Sequence, residues 1–511
     1  MTTQREAPQL EETRGAHRLS TRALGAPAIT LMIIAASAPL TVIAGGVPTS
    51  FAVTGSMGIP IGYLVLAVML IVFSVGFAAM GRFITNAGAF YPYIARGLGR
   101  PLGVGASFTA LVAYNTMQIG IYGLFGFQLA DVINQKFGIE TPWWLWVLLC
   151  IAVVGVLGVN RVDLSAKVLG ALVLLEFAVV IIFDVVALSV APEGANMVTL
   201  NPSVITDPVF GIVLLFNFAA FMGFEGAAIY SEEAKDPKRT VPRATYAAVA
   251  IIGLFYAFSA WAFSIGIGPS NIVDASREAG PGLMFAFMGE NVGIIVADLM
   301  MVLFLTSLFA ALQSFHNAVA RYFFSMGREG VLPRAFSRTN RAGAPVAGSI
   351  AQSTIAVLVV MGFALAGGLL GGDAELGPLF PVFTMFTWLT NTGAMGLVLL
   401  MLLSALAVIG FFRRNHHGLN VWTRIIAPTI SALFLLWVLF MVLTNFQLML
   451  GQAVPDASTF VLPGLIFAGM LGGLIWGLVL KSRDPALYRN IGHGADGPED
   501  VDADADAGSS R

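Results

Sequence analysis

The chain has 511 residues, of which 57% are hydrophobic and only 11% are Asp, Glu, Lys or Arg. Water-soluble domains carry about 25% charged residues, so a soluble fold of this size could not cover its surface with polar groups, and a polytopic membrane protein is the class that remains. The net charge of −2 hides segregated charges and gives no sign of a nucleic-acid partner, while the single cysteine, Cys150, excludes an internal disulfide framework and CxxC metal sites.

The first 21 residues are polar and read as a retained cytosolic tail. The apolar run behind Arg18, Ser20 and Arg22 is far longer than a signal-peptide core, and no cleavage site stands out. A spanning helix needs about 20 mostly apolar residues. Twelve such spans are predicted, near 24–50, 59–80, 104–131, 143–159, 165–190, 209–230, 244–268, 294–324, 347–367, 378–410, 425–446 and 459–480. Twelve spans put both termini on one side. With that side inside, 25 of the 27 Lys and Arg fall in inside segments, and only Lys136 and Arg277 fall outside. Short cytosolic loops carry this Lys/Arg excess, and a missed span would scramble the alternation. From Lys481 the chain turns acidic and poor in aromatics, which predicts a disordered cytosolic tail over 481–511.

Two spans are interrupted. Span 1 contains AASAPLTVIAGGVP, residues 35–48, where Pro39 removes a backbone donor and Gly45 and Gly46 loosen the helix. Span 6 contains Phe221-Met222-Gly223-Phe224-Glu225-Gly226. Interrupted helices at matching positions of two five-span groups point to a midplane binding site built on inverted repeats. Half-helix N-termini favour a carboxylate and half-helix C-terminal carbonyls an ammonium, and a zwitterionic amino acid carries both.

Three stretches resemble the amino acid–polyamine–organocation superfamily. GFEGAAIYSEEAKDPKRTVPRA (223–244) is similar to its sixth span and following loop. ARYFFSMGREGVLPRAFSRTNRAGAPVAG (320–348) resembles the end of its eighth span, and NAGAFYPYIARGLGRPLG (86–103) its loop between spans 2 and 3. The resemblance implies an all-α polytopic membrane protein of about 12 transmembrane helices with a five-plus-five inverted-repeat (LeuT-like) core and broken helices 1 and 6. That core would cover 22–410, followed by spans 11 and 12 over 411–480. One departure is that Ala38-Pro39-Leu40-Thr41 stands where many members carry Gly-x-Gly.

Candidate substrate contacts are Ala36, Ser37, Ala38, Leu40, Thr41 and Val42 at the first break and Phe218, Phe221, Met222 and Gly223 at the second. The resemblance adds Tyr114 and Asn115 of span 3, which lines the site in the family. Glu225 is a candidate for proton coupling or gating, or for capping local amides. Glu176 lies near mid-bilayer, where a charged acid costs about 2.5–3.5 kcal/mol and protonation relieves the cost. Some proton-coupled relatives place a lysine near this point of span 5 in lieu of sodium, so Glu176 is a second ion-coupling candidate. Asp184, eight residues further on, is expected at the membrane interface. Thr306, Ser307 and Ser314 could supply oxygen ligands to sodium, although such hydroxyls commonly bond their own backbone. His316 is read as a packing or hydrogen-bonding residue. The charged loop from Glu232 to Arg239 reads as a cytosolic hinge or latch.

No GxxxxGK[ST], HExxH or GxSxG sequence is present, which argues against an ATP-driven pump and the commonest hydrolases. No metal or organic cofactor is expected. The reading is a secondary transporter, not an enzyme: a permease of the plasma (inner) membrane importing an amino acid or small amine by alternating access. Protons are preferred over sodium as the coupling ion, and the bilayer is the surrounding partner. A polyamine transporter, an amino acid exchanger and a nutrient sensor remain as alternatives.

Overall fold

The computed structural model describes residues 24–84, 90–160, 166–207, 209–229, 234–341, 343–368, 376–452 and 454–492. The N-terminal tail, the acidic pair Glu232–Glu233 and residues 493–511 lie outside the described residues. Helices account for almost all of the described chain. In order they are α1 Ala26–Ser37, α2 Val47–Thr54, α3 Ile59–Met80, α4 Phe90–Gly97, α5 Arg100–Phe137, α6 Trp143–Val159 and α7 Ala166–Val190. Then come α8 Phe210–Phe221, α9 Gly226–Ile229, α10 Pro237–Ile267, α11 Ile272–Ala279, α12 Leu283–Asn291 and α13 Ile294–Arg328. The last are α14 Val346–Gly368, α15 Thr387–Arg414, α16 Ala427–Thr444, α17 Ala457–Arg483 and α18 Pro485–Asn490.

Nine helical segments among the described residues are long and apolar enough to cross a membrane, the first being the interrupted run Ala26–Thr54. Two more apolar helices, α6 and α8, are shorter. The long α5 falls outside that count because Asn115, Thr116, Gln118 and Gln128 interrupt its apolar run. These four are buried inside the bundle, where a helix need not match hydrocarbon. By contrast, Leu433, Leu436 and Phe440 of α16 and Phe460, Leu471 and Ile475 of α17 are exposed. A row of exposed large apolar residues on a helix suits a hydrocarbon solvent rather than water.

The bounds of α3 and α6 coincide with the expected spans, since Pro60 and Pro142 mark their starts and Gly81 and Asn160 their ends. Other helices outrun their apolar cores. α10 begins at Pro237 rather than 244, and α17 runs to Arg483. With α18 after it, most of the stretch 481–490, expected as tail, is helical. The two short helices α11 and α12 between α10 and α13 were not expected either.

Contacts sort the loops into two ends. At one end, Lys235 N–H donates to the Leu24 carbonyl, Arg414 to that of Arg96, Arg100 to that of Arg489 and Asn340 to that of Val159. The Phe83 ring packs against His417 there, tilted by 33°. At the other end, Arg277 donates to the Ala52 carbonyl, Ser270 to Glu193, and Lys136 pairs with Asp298 at 2.6 Å. Between these ends the helices form two groups. α10 packs on α1, α3 and α7, whereas α5 packs on α6, α13, α15 and α17.

Candidate functional site

The first break is made by the backbone. Ala38 closes α1 in a left-handed conformation (φ 47°), its N–H bonding back to the carbonyls of Ile34 and Ala35. A non-glycine residue there costs about 1–2 kcal/mol and needs surrounding support. Pro39 has no N–H to continue the ladder. The chain re-enters helix through a π-helical turn, Thr41–Gly46. Such turns are frequent at functional sites. The orphaned Leu40 N–H donates to Glu176 Oε2 at 3.2 Å.

The second break follows Phe221. Met222 is extended, and Gly223 has φ +109°, a conformation side chains rarely adopt. Its N–H donates to Glu225 Oε2 at 3.1 Å, and the Tyr114 hydroxyl donates to Glu225 Oε1. Glu225 is fully buried. Both of its contacts lie at the second break.

The two breaks touch. A Cβ at Gly223 would lie 3.1 Å from the Ala36 methyl. The Ser37 hydroxyl donates to the Ala220 carbonyl at 3.1 Å, a free carbonyl at the end of α8. The Tyr256 hydroxyl donates to the Ser37 carbonyl at 3.0 Å and lies 2.7 Å from Ser37 Oγ. Serine at position 37 thus clasps α1 to α8 and α10.

Between the breaks, α5, α13 and α15 lies a mostly apolar cavity of about 60 Å³. Of the expected contacts, Ala36, Ser37, Ala38, Thr41, Val42 and Met222 line it. Leu40, Tyr114, Asn115, Phe218, Phe221 and Gly223 do not. Tyr114 is turned to Glu225, and Asn115 Nδ2 donates to the carbonyl one turn back at Leu111. Span 3 contributes Met117 and Ile121 instead. Phe218 lies on the far face of α8 beside Leu70, Phe73 and Met401. Phe221 packs against Tyr63 and Tyr256, with ring centroids 6.3 and 6.0 Å away. The face of α8 that lines the cavity carries Phe216, Ala219 and Ala220, spaced i, i+3, i+4. Two consecutive alanines beside the break were the available signal for that face. Tyr63, Ala311, Phe315, Phe386 and Thr390 also line the cavity and had no local signature. No Asp, Glu, Lys or Arg is among the lining residues.

A polar junction sits beside the cavity. Glu176 Oε2 accepts from Ser307 Oγ at 2.8 Å as well as from Leu40 N–H, and Thr41 Oγ1 donates to Ser307 Oγ at 3.1 Å. Only 4% of Glu176 is exposed. α7, the first break and α13 therefore meet at one carboxylate. The three hydroxyls expected at a sodium site do not converge. Thr306 is exposed and donates to the Leu303 carbonyl, and Ser314 is about 10.5 Å along the helix from Ser307 at 1.5 Å per residue. Asp184 is corrected too. It is buried between α7 and α10, accepting from Ser259 Oγ at 2.7 Å, rather than facing the interface. His316 bonds the Ser349 hydroxyl at 2.6 Å across α13 and α14.

Comparison with known proteins agrees with this architecture. The structure resembles that of MhsT, solved in complex with L-phenylalanine, with a TM-score of 0.56 at 16% identity, covering 81% of this chain and 98% of that one. In sequence the chain is 24% identical over 293 residues to the low-affinity putrescine importer PlaP of Escherichia coli, 54% of this chain and 61% of that protein. It is 25% identical to the branched-chain amino acid permease BcaP of Lactococcus lactis, covering 59% of this chain and 68% of that one. It is 28% identical to the putrescine transporter PotE of Haemophilus influenzae, covering 61% and 70%. Residues 24–475 match the amino acid permease family, and the chain belongs to that family.

Proposed function

We propose that this protein is a proton-coupled secondary transporter that carries a neutral amino acid across the plasma (inner) membrane by alternating access. In this reading it has twelve spans and both termini are cytosolic. The observation that carries it is the cavity held between two touching helix breaks, with unladdered backbone groups from both at its wall. The helices packed on α10 and those packed on α5 would rock against one another about the cavity. The ammonium would take carbonyls at the end of α1 and the carboxylate would take amides beyond the breaks. An uncharged, largely apolar lining favours a neutral side chain over a second amine.

The coupling proton belongs on Glu176. Its hydrogen bonds to Leu40 N–H and Ser307 tie the first break to α13 when the acid is ionised, and protonation would weaken both. Glu225, fixed by Gly223 and Tyr114, would brace the second break.

The test is uptake and thermal stabilisation by amino acids and their decarboxylated amines in proteoliposomes and detergent. Stabilisation by neutral amino acids, lost without the carboxylate, is expected. Stabilisation by diamines alone would move the substrate class to diamines such as putrescine, the substrate that the names of PlaP and PotE state. Uptake by Glu176→Gln that still follows an imposed proton gradient would remove Glu176 from coupling.

A further inference from the structure

At the end of the molecule that gathers Arg96, Arg100 and Arg414, a cleft of about 320 Å³ opens between α4, the start of α5 and the end of α15. Asn415, His417 and Ile491 complete its wall. Arg100 and Arg414 pair with no carboxylate among the described residues. Arg100 Nη2 donates to the Arg489 carbonyl at 3.0 Å, its guanidinium lies 5.5 Å from the Tyr488 ring, and its buried Nε has no partner. Arg414 donates to the Arg96 carbonyl at 3.4 Å. Among the described residues, Arg100 and Arg414 thus meet main-chain carbonyls and a ring face and no opposite charge.

The described chain ends at the rim of this cleft. Ile491 is fully buried in its wall, and Gly492 N–H donates to Glu329 Oε2 at 2.8 Å. A Cβ at Gly492 would lie 3.9 Å from Arg96 Cγ. The residues that follow carry six acids, Asp496, Glu499, Asp500, Asp502, Asp504 and Asp506, with no Lys or Arg among them until Arg511. Asp496 is four residues past the anchor, a reach of about 13 Å when extended at about 3.3 Å per residue. A tether that short holds the carboxylates near the arginines at an effective concentration on the order of millimolar or above.

We infer that the acidic segment 496–506 folds back into this arginine cleft and pins α4 and α5 to the end of α15. Arginine forks donate paired, charge-assisted hydrogen bonds to carboxylates, and the alternating Asp-Ala register from 502 to 506 places an acid at every second residue. The contact is electrostatic and partly exposed, so it weakens with salt. The pocket would also suit a lipid phosphate. The tail is favoured because it is covalently held at the rim.

The test uses the full chain with Cys150→Ala, Asn415→Cys and Ala503→Cys in nanodiscs of neutral lipid. An oxidative cross-link is expected at about 0.05 M salt, reduced about fivefold or more at about 0.5 M, where screening shortens the range of these charges. It should fall likewise when the six acids are changed to Asn and Gln. Equal cross-linking by the neutralised tail would overturn the inference. Loss of the cross-link on adding phosphatidylglycerol would overturn it too, assigning the cleft to lipid phosphate. As a second readout free of cysteines, hydrogen exchange of residues 90–100 should be slower in the native chain than in the neutralised one. Identical exchange refutes the contact.

Discussion

Replacing Gly223 with alanine tests the claim that the two helix breaks are built against each other. At φ +109° an alanine is strained by about 1–3 kcal/mol, the range for residues held in sparsely populated backbone regions. The added methyl would also sit 3.1 Å from the Ala36 methyl, so α1 must give by a few tenths of an ångström. Overpacking of this kind costs about 1–3 kcal/mol. The expected loss is the sum of the two, roughly 2–6 kcal/mol, read as a lower midpoint of unfolding in detergent, together with weaker stabilisation by the transported ligand. The two contributions separate in a double-mutant cycle with Ala36→Gly. That change removes the opposing methyl and itself costs about 1 kcal/mol as a glycine in helix. A coupling energy of about 0.5–3 kcal/mol is expected for residues in contact. The double mutant should recover the steric part and keep the backbone part. If Gly223→Ala unfolds like the parent, or if the two substitutions are simply additive, the breaks do not brace one another and the argument fails.

Three further outcomes follow from the same geometry. Tyr114→Phe removes the hydroxyl donor to Glu225 and should cost about 1–3 kcal/mol of stability, with Glu225→Gln in the same background recovering part of it. A Tyr114→Phe protein as stable as the parent would exclude that brace. Ala311→Leu drives a branched side chain into a cavity of about 60 Å³ and should abolish ligand-induced thermal stabilisation while the protein still folds. Ligand stabilisation that survives it would place the site elsewhere. Asp456 caps α17 outside the apolar run, and hydrogen bonds from the Ser458 hydroxyl and the Thr459 and Ser458 amides hold its carboxyl below the usual carboxylate range. Because the folded-state value is the lower one, this stability is present above the unfolded value and is lost as pH falls through the folded one. Asp456→Ala should therefore cost about 0.5–2 kcal/mol at neutral pH, with the deficit shrinking below about pH 4. A deficit independent of pH would contradict it.

Membrane class, the run of long apolar helices and the positions of both breaks were legible in the sequence by itself. Hydrocarbon demands apolar runs of a set length, and backbone chemistry acts locally. Pro39 lacks a donor wherever it stands, and Gly223 tolerates a positive φ on its own account. The same locality explains why an acid on α7 and a hydroxyl on α13 could each be singled out as Glu176 and Ser307. Only the tertiary structure decided which faces point inward. Apart from Asn217, α8 is apolar on every face, so no periodicity chooses Phe216, Ala219 and Ala220 over Phe218, and the choice is made by Leu70 and Phe73 of α3 and Met401 of α15 lying beside Phe218. Tyr63, Phe315, Phe386 and Thr390 reach the cavity from helical segments far apart in the sequence. Ser307 and not Thr306 meets Glu176, and Asp184 finds Ser259, because a helix turns each residue about 100° from the last and only its neighbours fix the phase.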